Sequence, residues 1–201
     1  MKIEDLMIKD PITISKNTTI SEAIACMKTN SIRHLPVVAD DQSLLGFVTL
    51  ADLKQSLIPS MVSDLALKDI MIKAPITVAA DSDIEIAAQL IYKHKIGGLP
   101  VVQDGKLRGI ITVTDILGAF INMMGLLSAS SRVDVVLENK PGALKKAIQV
   151  VNDAGGDIIN IAMTAQKPGK RVYYFRLTAC DTSDIRRALE TAGFQVMATM
   201  N

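Results

Sequence analysis

The sequence predicts a mixed α/β (α+β) fold in which one unit occurs twice and a smaller domain follows. Residues 5–13 return as residues 69–77, 64 positions later, with Met, Lys and Pro-Ile-Thr in the same places. Leu-Pro-Val-Val stands at residues 35–38 and again, in the same register, at 99–102. The last third shows strand-like and helix-like segments in an order of its own. A repeat this long is one structural unit used twice, so the two copies are expected to complete a core together.

The composition favours a folded protein that does not bind nucleic acid. Of the 201 residues, 49% are apolar, which is enough to bury substantial cores. The 22 basic and 21 acidic side chains nearly cancel, and no run of Lys or Arg forms the basic stripe that a phosphate backbone requires. We therefore expect no nucleic acid among the partners of this chain.

We expect a cytoplasmic protein that is not bound to a membrane. Glu4 and Asp5 stand where a signal peptide would carry an apolar run. No apolar stretch of the sequence approaches the roughly 20 residues that cross a bilayer. Cys26 and Cys180 lie far apart and without metal-ligand spacing, which favours buried, reduced thiols over a redox pair or a metal site.

Each repeat predicts the order strand, helix, strand, turn, strand, helix. The first strand is expected at the Pro-Ile-Thr segments, residues 11–14 and 75–78. The first helix is amphipathic in both copies, and Thr19 with Glu22 forms a capping-box pattern at its start. Asp83 stands at the position of Thr19 in the second copy and is expected to cap its helix. One such unit is too small to cover both faces of its own sheet, so the copies are expected to pair.

These repeated segments resemble the paired cystathionine-β-synthase (CBS) domain, also called a Bateman module. The Pro-x-Thr, Leu-Pro-Val-Val and Gly-x-x-Thr-x-x-Asp elements match in order, twice, across residues 1 to about 125. The resemblance places the first repeat at residues 1–60 and the second at 61–127. It implies that the two copies pack about a pseudo-twofold axis and leave two clefts that hold adenosine-containing ligands.

The two Thr-x-x-Asp corners, Thr49 with Asp52 and Thr112 with Asp115, have two compatible interpretations. A hydroxyl before a helix and an acid three residues later cap the start of the helix. The same corner presents backbone N–H groups to a phosphate and a carboxylate to the hydroxyls of a ribose. The resemblance implies that the aspartates hold the ribose and that the threonines lie near the phosphates. It also implies two residues on the purine side of the clefts, Thr13 and Thr77.

The two copies differ at one informative place, where Arg33-His34 in the first is replaced by Gly97-Gly98 in the second. Basic residues at this position of the family often touch phosphate, so the resemblance implies that Arg33 and His34 favour an anionic ligand. The other interpretation is a solvated arginine and a packed or exposed imidazole, since histidine is nearly neutral at physiological pH. The two clefts are expected to be unequal.

The last third predicts a βαββαβ domain of the ferredoxin-like type over residues 131–201. A small polar joint at residues 128–131 precedes it. Residues 132–137 read as a strand, Pro141-Gly142 opens a helix, and a hairpin follows. A last helix ends at Gly193, and a final strand closes the domain.

Two segments of this domain resemble the ACT domain, a regulatory module of amino-acid metabolism: residues 139–144 at the first corner and residues 155–161 at the second strand. ACT domains that bind amino acids often hold them across a subunit interface at these positions. The resemblance therefore implies an amino-acid site at Asn139, Gly142 and Asn160. The alternatives are a turn residue at Asn139, an exposed strand position at Asn160 and a tight backbone corner at Gly142.

The order of two CBS domains and one ACT domain resembles the acetoin-utilisation protein B family. It implies a non-catalytic regulatory sensor in which AMP, ADP, ATP or S-adenosylmethionine binds between the repeats and an amino acid binds the ACT domain. Binding would shift the protein between two arrangements and so alter an unidentified partner protein. The sequence carries no phosphate-binding loop, nucleophile elbow or metal-ligating spacing, so no enzymatic activity, catalytic cofactor or metal is expected.

The alternative is a ligand-free scaffolding homo-oligomer that regulates a partner through protein contacts. Residues 120–127 are apolar and rich in methionine, which is typical of a surface that buries itself against another chain. The edges of the C-terminal sheet offer further positions for pairing. A homodimer or a higher oligomer is expected under both hypotheses, so the response to ligand separates them.

Overall fold

The structure is a computed structural model that describes residues 1–55, 66–167 and 170–201. The chain forms two compact units, Met1–Leu117 and Gly118–Asn201. The elements up to the end of the first unit are β1 (Ile8–Lys9), α1 (Ile20–Thr29), β2 (His34–Val38), β3 (Leu44–Thr49), α2 (Leu50–Gln55), α3 (Leu67–Ile70), α4 (Ile84–His94), β4 (Gly98–Gln103), β5 (Lys106–Thr112) and α5 (Val113–Met123), which runs into the second. The remaining elements are β6 (Ser130–Glu138), α6 (Ala143–Asp153), β7 (Ile158–Lys167), β8 (Lys170–Thr178), α7 (Ser183–Thr191) and β9 (Gln195–Met200).

The predicted domain limits of 1–60, 61–127 and 131–201 stay a prediction. The limit between the two repeats, at residues 60 and 61, lies outside the described residues. The same is true of residues 168 and 169 in the predicted hairpin turn between β7 and β8.

The repeated sequence forms a repeated structure. The hairpin of β2 and β3 places Leu35 opposite Val48, and the hairpin of β4 and β5 places Leu99 opposite Ile111. Both hairpins shift register at the same step, next to the second valine of Leu-Pro-Val-Val. The prediction of one α/β unit used twice is confirmed.

The first segment of each repeat pairs with the sheet of the other repeat. β1 pairs antiparallel with β5, and Ile72 of the second repeat forms the equivalent bridge with Phe47 on β3. A Cβ on Gly46 would lie 3.0 Å from the carbonyl oxygen of Ile72, and one on Gly109 would lie 2.8 Å from that of Ile8. Only glycine allows the backbones to approach this closely. This reciprocal exchange is the pseudo-twofold packing that the sequence predicts.

The hydrophobic core of the first unit also mixes residues of the two repeats. Leu67 begins the second repeat and is fully buried in a cluster of side chains from the first repeat. Ile3 occupies the equivalent position at the start of the first repeat and is equally buried. Neither repeat therefore closes its core with its own side chains alone.

The start of α1 follows the prediction, whereas the start of α4 does not. Thr19 Oγ1 accepts a hydrogen bond from the backbone N–H of Glu22 at 3.2 Å, and the Glu22 carboxylate accepts one from the N–H of Thr19 at 2.8 Å. The side chain of Asp83 makes no capping hydrogen bond. Its carboxylate lies 2.8 Å from Nζ of Lys2 instead, so an ion pair has replaced the predicted cap.

The prediction of a first strand at residues 11–14 and 75–78 is wrong. In each segment the ladder is reduced to one parallel bridge, from Ile14 to Val37 and from Val78 to Val101. Pro11 lacks a backbone N–H group and cannot donate a hydrogen bond to a neighbouring strand. This confines the strand β1 to the residues before it.

The second unit is a four-stranded antiparallel sheet in the order β7-β8-β6-β9. Alternate residues of β6 and β8 pack against α6 and α7 on one face, where Val135, Phe175 and Leu189 are fully buried. The chain order is βαββαβ, as predicted. Gly142 precedes α6 with a φ of 84°, a conformation that favours glycine.

Candidate ligand-binding cleft

Both Thr-x-x-Asp corners are closed by hydrogen bonds between their own residues. Oδ2 of Asp52 accepts from Oγ1 of Thr49 at 2.7 Å and from the backbone N–H of Thr49 at 3.1 Å. Oδ2 of Asp115 accepts the same pair from Thr112 at 2.7 and 2.8 Å. Within the described residues no hydrogen bond reaches Oδ1 of either aspartate. Each corner therefore stabilises its own turn through one oxygen of the aspartate, Oδ2.

A cavity of about 880 Å³ opens beside the first corner, and we call it the first cleft. Its walls come from both repeats. The first repeat supplies Thr49 and Asp52, and the second supplies residues 74–76 and residues 95–98. Its volume lies in the range of about 300 to 1,000 Å³ that is usual for small-molecule sites.

The structure brings four of the eight predicted nucleotide-binding residues together in the first cleft: Arg33, His34, Thr49 and Asp52. The other four do not line it: Thr13, Thr77, Thr112 and Asp115. Because the repeats exchange their first segments, the corner of one repeat faces the early segment of the other. The role of all eight residues in binding stays a prediction.

Two cations of the first cleft are missing from the sequence prediction. Lys54 and Lys95 line the cleft with Arg33, and among the described lining residues Asp52 supplies the one carboxylate. Lys95 follows α4 with a φ of 57°, and Ser31 follows α1 in the first repeat with a φ of 54°. A lysine is not a typical left-handed residue at the end of a helix, so no sequence motif located Lys95. The excess of positive charge favours an anionic ligand.

His34 lies in the wall of the first cleft as a packed, partly buried ring. It stacks on Phe47 with the ring centroids 5.8 Å apart and an angle of 14° between the planes. Burial lowers the pKa of His34 below its usual value of 6.5, the charge of Arg33 lowers it further, and Asp52 opposes both effects. The imidazole is therefore neutral at pH 7, and the role of Arg33 as the cation of the pair stays a prediction.

The glycine pair of the second repeat makes room for this histidine. A Cβ on Gly97 would lie 2.6 Å from Nε2 of His34, and one on Gly98 would lie 3.7 Å from its Cγ. His34 and the glycine pair of the second repeat thus meet across the pseudo-twofold axis. A Cβ at residue 97 would therefore require the ring of His34 to shift.

Comparison with known proteins agrees with this geometry. The family model of the CBS domain matches residues 3–58 and 67–122, which together are more than half of the chain. The chain belongs to the CBS-domain family. Residues 129–199 of this CBS-pair protein match the TTHA0829-like ACT domain, so the two predicted families are both shown.

One curated relative is the inosine-5'-monophosphate dehydrogenase of Methanocaldococcus jannaschii, 39% identical over 119 residues. The match covers 58% of this CBS-pair protein and 23% of the dehydrogenase. The chain therefore spans about a quarter of the length of that relative. CBS pairs and ACT domains are regulatory modules, and the likeness to the enzyme lies in such a module.

Three solved structures share the fold of the CBS pair. The CBS pair of protein MJ0100, in complex with 5'-methylthioadenosine and S-adenosyl-L-methionine, is 31% identical with a TM-score of 0.56 and covers 60% of this chain and 99% of that one. A Vibrio cholerae protein assigned as the acetoin-utilisation protein AcuB is 35% identical with a TM-score of 0.56, covering 61% and 91%. CBSX2 in complex with AMP is 28% identical with a TM-score of 0.53, covering 60% and 96%.

The three residues of the predicted amino-acid site do not meet within one copy of this CBS-pair protein. Asn139 follows the end of β6 at Glu138, whereas Asn160 on β7 lies level with Arg132 near the other end of β6. At about 3.3 Å per residue, roughly 20 Å of strand separates these levels. A site built from Asn139, Gly142 and Asn160 would need a second copy of the chain, and it stays a prediction.

Neither a metal cluster nor a membrane helix is found in the parts of the chain that the structure describes. No three His, Cys, Asp or Glu side chains in these parts come close enough together to hold a metal ion. No helix there has the length and apolar character needed to cross a bilayer. The predicted cytoplasmic location stays a prediction.

Proposed function

We propose that this CBS-pair protein is a non-catalytic regulatory sensor whose first cleft binds an adenine nucleotide. The observation that carries the proposal is a cleft of about 880 Å³ that gathers Asp52, Arg33, Lys54 and Lys95 from both repeats. The adenosyl ligands and AMP in the CBS pairs of MJ0100 and CBSX2 support the choice of adenosine as the common part of the ligand.

Each side chain has a distinct role in this proposal. Oδ1 of Asp52 accepts hydrogen bonds from the ribose hydroxyls, while Oδ2 continues to hold Thr49. Arg33 and Lys95 bind the phosphates through charge-assisted hydrogen bonds. The apolar side chain of Ile76 packs against the purine. The excess of cations favours AMP, ADP or ATP over S-adenosylmethionine, whose sulfonium is itself positively charged.

Regulation follows from a difference in affinity between two arrangements of the protein. A ligand that contacts both repeats in the first cleft binds most tightly to the arrangement that brings those contacts together. The regulated protein is unidentified. A role in acetoin utilisation rests on the likeness to the Vibrio cholerae protein and is part of the proposal, as is an amino acid bound by the ACT domain.

The test is calorimetric titration of the ligand-stripped protein with AMP, ATP and S-adenosylmethionine. Asp52→Ala removes the carboxylate from the first cleft, and we expect at least tenfold weaker AMP binding there. Asp115→Ala is the matched control, because it breaks the same corner hydrogen bonds outside this cleft.

Three outcomes decide between the assignments. Loss of AMP binding in Asp52→Ala alone supports the first cleft. Loss in Asp115→Ala alone would move the ligand to the other corner. Absence of heat and of any change in melting temperature with all three ligands would contradict the sensor proposal and favour the ligand-free scaffold.

A homodimer is the second part of the proposal, and it rests on the exposed apolar segment at residues 120–127. The exposed fraction is 48% for Met123, 45% for Leu126 and 80% for Leu127. Apolar side chains this exposed favour burial against a second copy. Sedimentation velocity of Leu127→Glu should show a shift towards monomer, whereas the exposed Tyr92→Ser on α4 should leave the oligomeric state unchanged.

A further inference from the structure

The sheet of the second unit carries two arginines directly opposite each other on the face away from α6 and α7. Arg132 on β6 pairs with Arg176 on β8, and Asn160 on β7 stands on the other side of Arg176. Like charges in directly opposed positions of an antiparallel sheet destabilise it. This arrangement therefore calls for compensating negative charge.

Only one of the two arginines has that compensation. Nε of Arg132 lies 2.9 Å from Oδ1 of Asp134, and its Nη2 donates to Oδ2 at 3.2 Å. Arg176 donates from Nη1 to the neutral Oγ of Ser130 at 2.7 Å. No carboxylate among the residues the structure describes lies within ion-pair distance of Arg176.

The uncompensated arginine is also the buried one. Arg176 is only 9% exposed, although a guanidinium carries five N–H donors and a permanent charge. Burying a charge without a partner is costly in free energy. The hydrogen bond to Ser130 satisfies one N–H donor of Arg176 and neutralises none of its charge. A bound anion would lower the free-energy cost of burying the guanidinium.

A cavity of about 340 Å³ adjoins this guanidinium, and we call it the sheet-face pocket. Its polar wall is formed by Arg132, Asn160 and Tyr174 with Arg176, and its apolar wall includes Met124. The segment after α5 passes over it at Gly125, whose φ is 64°, and a Cβ there would lie 3.4 Å from Cδ of Arg176. The amide of Asn160 donates to the carbonyl of Met123 at 3.2 Å and so ties the segment to the sheet.

We propose that the sheet-face pocket binds a small carboxylate that carries a short apolar body. The guanidinium of Arg176 holds the carboxylate in a two-pronged ion pair, for which its planar fork is suited. The methionine side chains of the apolar wall, Met124 and Met163, contact the alkyl part. One uncompensated positive charge matches a monoanion.

The charges of the pocket also favour a simple carboxylate over an α-amino acid. An ammonium group needs an anionic or carbonyl partner, and the carboxylate of Asp134 is already engaged by Arg132. The site lies within one copy of the chain and away from Asn139 and Gly142. It is independent of the nucleotide proposed for the first cleft.

The experiment titrates the full chain with sodium propionate in a zwitterionic buffer of low chloride. Propionamide is the neutral isostere, alanine adds an ammonium, and inorganic phosphate tests for a general anion site. We expect saturable binding of propionate, at least tenfold weaker binding of alanine and phosphate, and no binding of propionamide. Equal binding of propionate and phosphate, or no binding of propionate, would overturn the proposal.

Two variants locate the site. Arg176→Gln should weaken propionate at least tenfold and leave AMP binding unchanged. Arg186→Gln on α7 removes the same charge from an exposed pair with Glu190 and should bind propionate like the unmodified protein. Loss of propionate binding in both variants, or in neither, would contradict the assignment.

A second measurement keeps the test valid if Arg176→Gln does not fold. Arg176→Met replaces the uncompensated charge with an apolar chain of similar length, so its melting temperature without propionate should exceed that of the unmodified protein. Saturating propionate should raise the melting temperature of the unmodified protein and leave that of Arg176→Met unchanged. A lower melting temperature of Arg176→Met, combined with equal effects of propionate on both proteins, would overturn the proposal.

Discussion

The two Thr-x-x-Asp corners have the same local structure and different surroundings. In both corners the aspartate accepts from the threonine hydroxyl at 2.7 Å. The first corner faces a cleft with Arg33, Lys54 and Lys95, and the second does not line that cleft. The motif therefore builds the corner, while the charge beside it comes from Arg33 and Lys54 of the same repeat and Lys95 of the other.

This difference has a steric origin as well as an electrostatic one. His34 occupies space that any side chain at Gly97 would need. His34 and Gly97 are thus sterically coupled positions.

The largest loss of stability is expected when one methyl group is added at Gly97, where the two repeats meet. Gly97→Ala places a Cβ 2.6 Å from Nε2 of His34, and displacing the stacked ring should cost about 1–3 kcal/mol in the free energy of unfolding. Denaturant unfolding measures the loss. The double variant with His34→Ala should recover part of it, since residues in contact are coupled.

Gly118→Ala on α5 is the control for this substitution. A Cβ at Gly118 meets no heavy atom within 4 Å, so the change should be neutral or stabilising by up to about 1 kcal/mol. Equal destabilisation by both substitutions would show that the clash with His34 is not the cause.

Removing the charge of Arg33 should separate phosphate binding from adenosine binding. A lost charge-assisted hydrogen bond to phosphate costs about 1.5–3 kcal/mol, so Arg33→Ala should weaken ATP binding about 10- to 150-fold and adenosine binding much less. Lys73→Ala removes an exposed charge that does not line the first cleft and should change neither affinity. Parallel calorimetric titrations measure both, and equal weakening of ATP and adenosine would remove Arg33 from the phosphate site.

The two corners should respond alike when their threonines are truncated. Thr49→Ala and Thr112→Ala each remove the hydroxyl that binds the aspartate, and each should lower the free energy of unfolding by about 1 kcal/mol. Thermal unfolding of both variants tests the equivalence. A clear difference between them would mean that the surroundings, and not the motif, stabilise one corner.

The smallest expected effect is the pH dependence that His34 adds to the first cleft. Its pKa lies below 6.5 in the folded protein, so the unfolded chain takes up this proton first as the pH falls. Between 6.5 and the lower folded pKa the unfolded state binds more protons, and stability decreases with decreasing pH. His34→Asn should lose less stability between pH 7 and pH 5 than the unmodified protein. An identical pH profile of the two melting temperatures would contradict the shift.

The elements were predictable wherever neighbouring residues decide the structure. Thr19 and Glu22 lie three residues apart and form the expected capping box. The prediction failed at Asp83, because Lys2, far away in the sequence, competes for its carboxylate. The repeated hairpins and the βαββαβ order were predictable because they follow from local patterns of apolar residues and turns.

The residues that line the first cleft could be predicted only in part, for the same reason. Arg33, His34, Thr49 and Asp52 follow from the motifs of one repeat. Lys95 reaches the cleft through the exchange between the repeats and the left-handed residue after α4, neither of which a motif displays. The uncompensated charge of Arg176 appears only once the register of β6 and β8 is known.

The exchanged first strand sets an order of events during synthesis of the chain. Ile8 and Lys9 leave the ribosome well before their partners on β5, Ile110 and Gly109. Contacts this distant in sequence form late, because a long loop must close before they are made. This segment of the nascent chain therefore stays unpaired until about a hundred further residues have been synthesised. A ribosome that paused within the second repeat would leave it without its partner strand.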